Sequence, residues 1–176
     1  QPLPGFEIVG LMGNHEETLL KFLEDPSIGL SWFEYGGIAT LHSYGVTPSL
    51  GASAARLAQV RDELLRKIPQ THLDFMRALK SYYVLGDYAF VHAGIVPGIP
   101  LEDQAVEDLL WIRDRFLDST TEHGKLVVHG HSIVQAPEFR RNRIAIDTGA
   151  FMTGIDRKST RLNSSHVSES RMPSSA

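Results

Sequence analysis

Apolar residues recur at helical spacing through the first half of the chain. This three- and four-residue spacing predicts amphipathic helices at residues 17–24, 30–35, 38–44, 52–67 and 72–79. Asp25-Pro26, Gly36-Gly37 and Pro69 follow three of these segments, and residues of these types commonly end helices. Residues 45–51 have no periodic pattern and predict a connector rich in turn residues.

Short apolar runs dominate the second half and predict β-strands. They lie at residues 7–12, 82–85, 88–91, 126–128 and 144–146, the first of them ahead of the helices. Gly86-Asp87 separates the second run from the third and is typical of a two-residue hairpin turn. Helical segments thus precede most of the strands, and the sequence has no internal repeat. This order predicts an α/β or α+β fold with a mixed sheet.

The composition is that of a globular domain and excludes several kinds of site. The chain has 176 residues, of which 42% are hydrophobic and 22% charged. It has no cysteine, which excludes a thiolate zinc site, a cysteine nucleophile and any disulfide. No run approaches the roughly 20 apolar residues that a membrane-spanning helix needs. We therefore expect a cytoplasmic protein with no membrane partner.

The last segment, residues 156–176, differs in composition from the rest. It is rich in serine, has no periodic apolar face and predicts a disordered tail. Back-translated with suitable codons, it resembles a DNA-sequencing library adapter, so we expect it to be non-native. Without its four basic and two acidic residues, the 17 Lys and Arg become 13 and the 21 Asp and Glu become 19. The net charge of the predicted domain, residues 1–155, is then −6, which does not favour a nucleic-acid partner.

Four polar clusters share one arrangement, in which a His, Asn or Asp lies beside a small residue at the end of an apolar run. They are Gly13-Asn14-His15-Glu16, His92-Ala93-Gly94, His129-Gly130-His131 and Asp147-Thr148-Gly149. Taken singly, each cluster is also compatible with an ordinary turn or a half-buried histidine. Loops at strand ends commonly present catalytic and metal-binding groups. Together, the clusters predict an active site assembled from several strand ends.

The residue types in these clusters suit a divalent metal ion. Asn14, His92 and His131 would offer one amide oxygen and two imidazole nitrogens, a donor set compatible with manganese, iron or zinc. Two such ions can clamp a phosphate and activate water without a serine or cysteine nucleophile. His129 and His131 flank a glycine, and strand geometry would point both to one side. From spacing alone, only one of them need be functional.

Together with Trp111-Ile112-Arg113, the four clusters occur in an order that resembles the calcineurin-like metallophosphoesterases. The resemblance covers about residues 7–154 and is closest to the bacterial and phage protein phosphatases of the serine/threonine phosphatase superfamily. It implies a four-layer α/β/β/α sandwich with mixed sheets. It also implies two divalent metal ions, most readily Mn²⁺, and a phosphoprotein or small phosphoester as substrate.

The resemblance assigns a role to each motif residue. It implies that Asn14, His92 and His131 are ligands of the second metal ion, and that His15 is the general acid. Arg113 would hold the phosphate together with Asn14. Two further motif residues, Glu16 and Asp147, are expected to be structural.

Two segments of the family pattern are missing from the sequence. Gly-Asp-x-His-Gly and Gly-Asp-x-x-Asp-Arg-Gly, which precede the Gly-Asn-His-Glu element in the family, do not occur here. In the family they supply the first metal ion's ligands, the bridging Asp and a further Arg. We therefore expect the chain to be an N-terminally truncated domain that is inactive alone, with sheet and helix faces left uncovered.

Three alternatives stay open. A symmetrical dinucleoside tetraphosphatase has a similar motif set. In that group the residue after Gly-Asn-His is more often Asp, so Glu16 favours the protein phosphatases. A non-catalytic binding protein could keep this fold without metal ions, although that would make the retained motif residues harder to explain. In the third alternative, the histidines of an ordinary α/β domain are incidental.

Overall fold

The computed structural model describes residues 5–48 and 53–154, and it is a mixed α/β fold. Five helices come first, followed by strands and short helices. The helices are α1 (Asn14–Glu24), α2 (Gly29–Trp32), α3 (Ile38–Ser43), α4 (Ala54–Lys67), α5 (Gln70–Arg77), α6 (Val106–Trp111), α7 (Asp114–Leu117) and α8 (Ala150–Thr153). The strands are β1 (Tyr82–Leu85), β2 (Tyr88–Val91), β3 (Leu126–His129), β4 (Glu138–Phe139) and β5 (Arg143–Ala145).

The five strands form one mixed sheet in the order β1-β2-β3-β5-β4. The three central strands β2, β3 and β5 are parallel, with Ala89 opposite Val127 and Val128 opposite Ile144. The two outer strands, β1 and β4, are antiparallel to their neighbours. The carboxyl ends of the three parallel strands therefore lie at one edge of the sheet, and three of the four polar clusters follow those ends.

The hairpin prediction is confirmed. β1 and β2 pair antiparallel around Gly86-Asp87, with Leu85 opposite Tyr88. Gly86 has φ +56°, a left-handed conformation that glycine adopts without steric cost. The turn delivers β2 directly to His92.

Apolar side chains form three clusters. The helical half has its own core, in which Phe22, Leu41 and Leu64 are fully buried. A second cluster lies between α6, α7 and one sheet face, around Phe116 and Val127. A third, smaller cluster covers the opposite face with residues of the strands themselves, with Leu126, Val128 and Ile144 as its buried members.

The strand prediction for residues 7–12 is wrong. Leu11 forms a single parallel bridge to Lys80, supported by hydrogen bonds from Met12 N to Lys80 O and from Lys80 N to Gly10 O. No strand among the described residues pairs with the other edge of this segment. Ile8, inside the predicted strand, is therefore 66% exposed, and Phe6 just before it is 72% exposed.

The helix predictions are confirmed in position, with shifts at their ends. α1 begins at Asn14, three residues earlier than the apolar spacing suggested, so three residues of the first polar cluster are helical. Two short helices that the apolar spacing did not predict, α6 and α7, follow one another and are separated by Ile112 and Arg113. The predicted tail, 156–176, lies outside the described residues, and no helix within them is long and apolar enough to cross a bilayer.

Replacement of Leu64 tests the helical core. Leu64 is 0% exposed in α4, whereas its neighbour Leu65 is 45% exposed. We expect Leu64→Ala to lower the free energy of unfolding by about 2–5 kcal/mol, because it removes buried methyl groups and leaves a cavity. Leu65→Ala is the matched control and should cost less than about 1 kcal/mol. Urea denaturation measures both, and equal losses would contradict the described core.

Candidate metal centre

Asn14 enters the site from the first turn of α1. Gly13 precedes the helix, and its N–H donates to the Glu16 carboxylate at 3.1 Å, which supports the structural role expected for Glu16. A β-carbon on Gly13 would lie 3.2 Å from the His92 ring, so the glycine permits close approach of helix and ring. Asn14 is buried as a result, with its side chain directed at His92.

His92 follows β2 directly. Two backbone hydrogen bonds hold this turn: Gly130 N donates to His92 O at 2.8 Å, and Ala93 N donates to Leu109 O at 2.8 Å. The first joins the end of β2 to the end of β3, and the second joins it to α6. The His92 ring is therefore carried by backbone that is fixed on two sides.

His131, rather than His129, joins the cluster. β3 ends at His129, and His131 has φ +62°, so strand geometry does not persist through Gly130. His129 is 1% exposed and packs edge-on against Phe116, with 5.0 Å between ring centroids. His131 instead has its ring centroid 5.0 Å from that of His92. The question that spacing left open is thereby answered.

The three predicted ligands converge. His92 Nε2 lies 2.8 Å from Asn14 Oδ1 and 3.2 Å from His131 Nδ1. Metal–nitrogen bonds of about 2.0–2.1 Å place neighbouring donors of a tetrahedral or octahedral shell roughly 2.9–3.4 Å apart. The two measured distances are close to this range, so the three donor atoms fit positions of one coordination sphere. They would supply only part of its ligands. Within residues 5–48 and 53–154, no group of three or more His, Cys, Asp or Glu side chains is placed to hold a metal ion.

Both imidazoles are neutral at pH 7. Burial lowers the pKa of His92 to about 4, and the charge of the nearby His15 adds to this lowering. Burial also lowers the pKa of His131 to about 4, with Arg113 as the next cause. Asp147 opposes the lowered pKa at both rings. Each ring therefore has a lone pair available for a metal ion.

Arg113 and His15 lie at the exposed rim of this cluster. Arg113 precedes α7, and its Nη1 is 3.4 Å from Ser132 Oγ, in the loop after His131. His15 extends from the first turn of α1 towards Gly36, where a β-carbon would lie 3.2 Å from its ring. Gly36 has φ +100° and leaves room for the imidazole. All five predicted site residues thus belong to one region.

An open cavity of about 330 Å³ adjoins the cluster. Polar groups from the strand ends line one part of it, and apolar side chains line the rest: Leu11, Phe90, Val91, His92, Val128, His129, Gly130, His131, Ile146 and Asp147. Asp147 Oδ1 accepts a hydrogen bond from Gly149 N at 2.9 Å, as expected for a structural turn. The negative charge of Asp147 also counteracts the lowered pKa of His92 and His131, an effect that the motif reasoning did not assign.

Trp111 is a second residue whose place in the site was missed. Its ring stands edge-on to His131, with 6.0 Å between centroids, and the side chain is 41% exposed. A tryptophan ending an amphipathic helix is ordinarily a core residue, and its spacing gave no sign that it lay beside a histidine. Its position two residues before Arg113 was the available signal.

A scan against protein-family models and a search of curated proteins found no match for this chain.

Acidification should destabilise the fold through its buried histidines. Burial lowers the pKa of His129 from 6.5 to about 4, so the unfolded chain takes up the proton first. The free energy of unfolding should therefore fall between pH 6.5 and pH 4, by up to about 3 kcal/mol at this residue. Urea denaturation at pH 7.5, 5.5 and 4.5 measures the loss.

Two variants identify the source of this pH dependence. His129→Asn should flatten the slope, whereas His42→Gln, at an exposed position on α3, should keep it. A wild-type free energy that is constant from pH 7.5 to 4.5 would contradict the assignment of these buried, neutral rings.

Proposed function

We propose that this chain is part of a metal-dependent phosphoester hydrolase, most similar in design to the serine/threonine protein phosphatases. The observation that carries the proposal is the convergence of three donor atoms: His92 Nε2 lies 2.8 Å from Asn14 Oδ1 and 3.2 Å from His131 Nδ1. These residues are up to 117 positions apart in the sequence (131 minus 14). Incidental histidines would have no reason to meet in this way.

In this proposal, Asn14, His92 and His131 hold one of two divalent ions, with Mn²⁺ preferred and iron or zinc as alternatives. Such ions act as Lewis acids and lower the pKa of water to about 7. The neutral side chains contribute lone pairs without cancelling positive charge at the site. The remaining ligands belong to the two absent motif segments, which would also complete the four-layer sandwich.

Arg113 and His15 act on the substrate. The planar Arg113 guanidinium binds phosphate oxygens as a fork of donors, and the Asn14 amide contributes a further contact. Water loses one proton to the solvent and adds to phosphorus while the bond from phosphorus to the leaving oxygen breaks. His15 donates a proton to that oxygen, so the product leaves as an alcohol rather than as an alkoxide. The exposed position of both side chains allows a phosphoprotein or a small phosphoester to reach them.

Metal binding tests the ligand set in the chain itself. We expect Mn²⁺ to bind, and His131→Ala to weaken that binding at least roughly tenfold, because one of three converging donors is removed. Titration followed by electron paramagnetic resonance of free Mn²⁺ measures the affinity. His42→Ala is the matched control and should bind like the wild type. Equal binding by His131→Ala would exclude this coordination site.

Substrate choice tests the general acid. For this experiment the two absent segments are added from a phosphatase that the chain resembles. We expect His15→Asn to lower kcat about 10²–10⁴-fold on a phosphoserine peptide. The loss on p-nitrophenyl phosphate should be much smaller, because nitrophenoxide leaves without a proton.

Further measurements separate the alternatives. His42→Asn should leave both kcat values unchanged, and equal losses on the two substrates in His15→Asn would contradict the acid role. Faster turnover of diadenosine tetraphosphate than of the peptide would favour the tetraphosphatase alternative. No turnover despite tight metal binding would favour a binding protein.

A further inference from the structure

The backbone at His131 is held in an unfavourable conformation. Among the described residues, His131 combines a positive φ, +62°, with a side chain other than glycine's. Crowding between the β-carbon and the carbonyl oxygen disfavours this conformation, so surrounding contacts must maintain it. Those contacts decide where the His131 ring points.

Gly130 connects His131 to the sheet through both of its backbone groups. Its N–H donates to His92 O, and its carbonyl accepts from Ser132 N at 2.6 Å. The same carbonyl lies 3.2 Å from Nδ1 of the His129 ring. The His129 side chain therefore folds back onto the peptide that precedes His131.

Arg143 determines which His129 nitrogen carries the proton. Its Nη1 lies 3.3 Å from His129 Nε2 in a buried contact. A guanidinium can only donate, so Nε2 must accept, and the proton of the neutral ring must be on Nδ1. Nδ1–H then donates to the Gly130 carbonyl. A mere packing contact would not specify the tautomer.

Arg143 is itself fixed in β5. Its Nη2 donates to Leu117 O at 3.3 Å and lies 3.4 Å from the Glu138 carboxylate. Phe116 packs edge-on against the His129 ring on its way to the second apolar cluster. The chain of contacts therefore runs from β4 and β5 through His129 to the loop that carries His131.

We propose that His129 is a positioning residue, set in its Nδ1–H form by Arg143, which fixes the Gly130 carbonyl and so aims the His131 ring at the metal ion. This inference rests on the proposed function, because His131 is taken as a metal ligand. His129 itself does not contact the ion. A purely structural His129 would stabilise the fold without affecting metal affinity or requiring one tautomer.

The tautomer can be measured in the unmodified chain. Long-range ¹H–¹⁵N correlation at pH 7.5 should give Nδ1–H for His129, and Nε2–H would overturn the proposal. The three-bond HN–Hα coupling of His131 should report the left-handed conformation. Neither measurement depends on metal or on a variant.

Variants test the effect on the metal ion. His129→Leu should weaken Mn²⁺ affinity about 10–100-fold, the range found when groups that orient metal ligands are removed. His129→Asn should restore affinity to within about threefold of the wild type, because its amide can still donate to Gly130 O. Arg143→Met removes the donor to His129 Nε2, so the His129 ring can adopt either tautomer. This variant should weaken Mn²⁺ affinity without changing His129.

The outcomes are distinguishable. Failure of the wild type to bind Mn²⁺ would overturn the proposed function and the metal-directing role with it. Wild-type binding that is unchanged in His129→Leu and Arg143→Met would overturn the inference alone. If His129→Leu does not fold, the tautomer and Arg143→Met decide. Comparable weakening in His129→Leu and His129→Asn would show that the hydrogen bond to Gly130 O does not set the affinity, and would overturn the inference.

Discussion

The hydrogen bond from Gly130 N to His92 O joins the ends of two parallel strands, and the rest of the site depends on it. The register of β2 and β3 places Phe90 opposite Val128, so both strands end at the same edge of the sheet. The bond continues that pairing beyond the last strand residues. His92 and His131, 39 positions apart in the sequence, are thereby brought together, with 3.2 Å between His92 Nε2 and His131 Nδ1. Helix α1 supplies Asn14 from outside the sheet.

Features governed by local chemistry could be predicted from the sequence. The hairpin at Gly86-Asp87 follows from a turn pair between two β-rich runs, because glycine supplies the left-handed conformation that the turn requires. The helical core follows from apolar spacing at positions such as Leu57, Val60 and Leu64, all of which are buried. The meeting of His92 and His131 follows from the predicted strand ends, since residues after neighbouring parallel strands leave the sheet at the same edge, whereas Asn14 comes from α1.

Features governed by partners distant in the chain could not be predicted. Residues 7–12 have an apolar strand pattern, but a strand also needs neighbours for its hydrogen bonds, and Lys80 supplies only one bridge. The choice between His129 and His131 depended on a left-handed backbone conformation at His131 that the apolar and polar pattern does not indicate. The position of Trp111 beside His131 could not be predicted, because its spacing fits a core position equally well.

The charge of the donor set has a consequence for what the site can bind. Asn14, His92 and His131 are uncharged in the fold, so they leave the full charge of a bound divalent ion in place beside the Arg113 guanidinium. Such a combination favours a dianionic phosphate over a neutral ligand. Neutral donors, however, hold a hard cation less tightly than carboxylates do. The Asp147 carboxylate counteracts the lowered pKa of both histidines, and it already accepts a hydrogen bond from Gly149 N within its own turn. Under the proposed function, these three residues would therefore give weak Mn²⁺ binding, and tight binding would need additional acidic ligands.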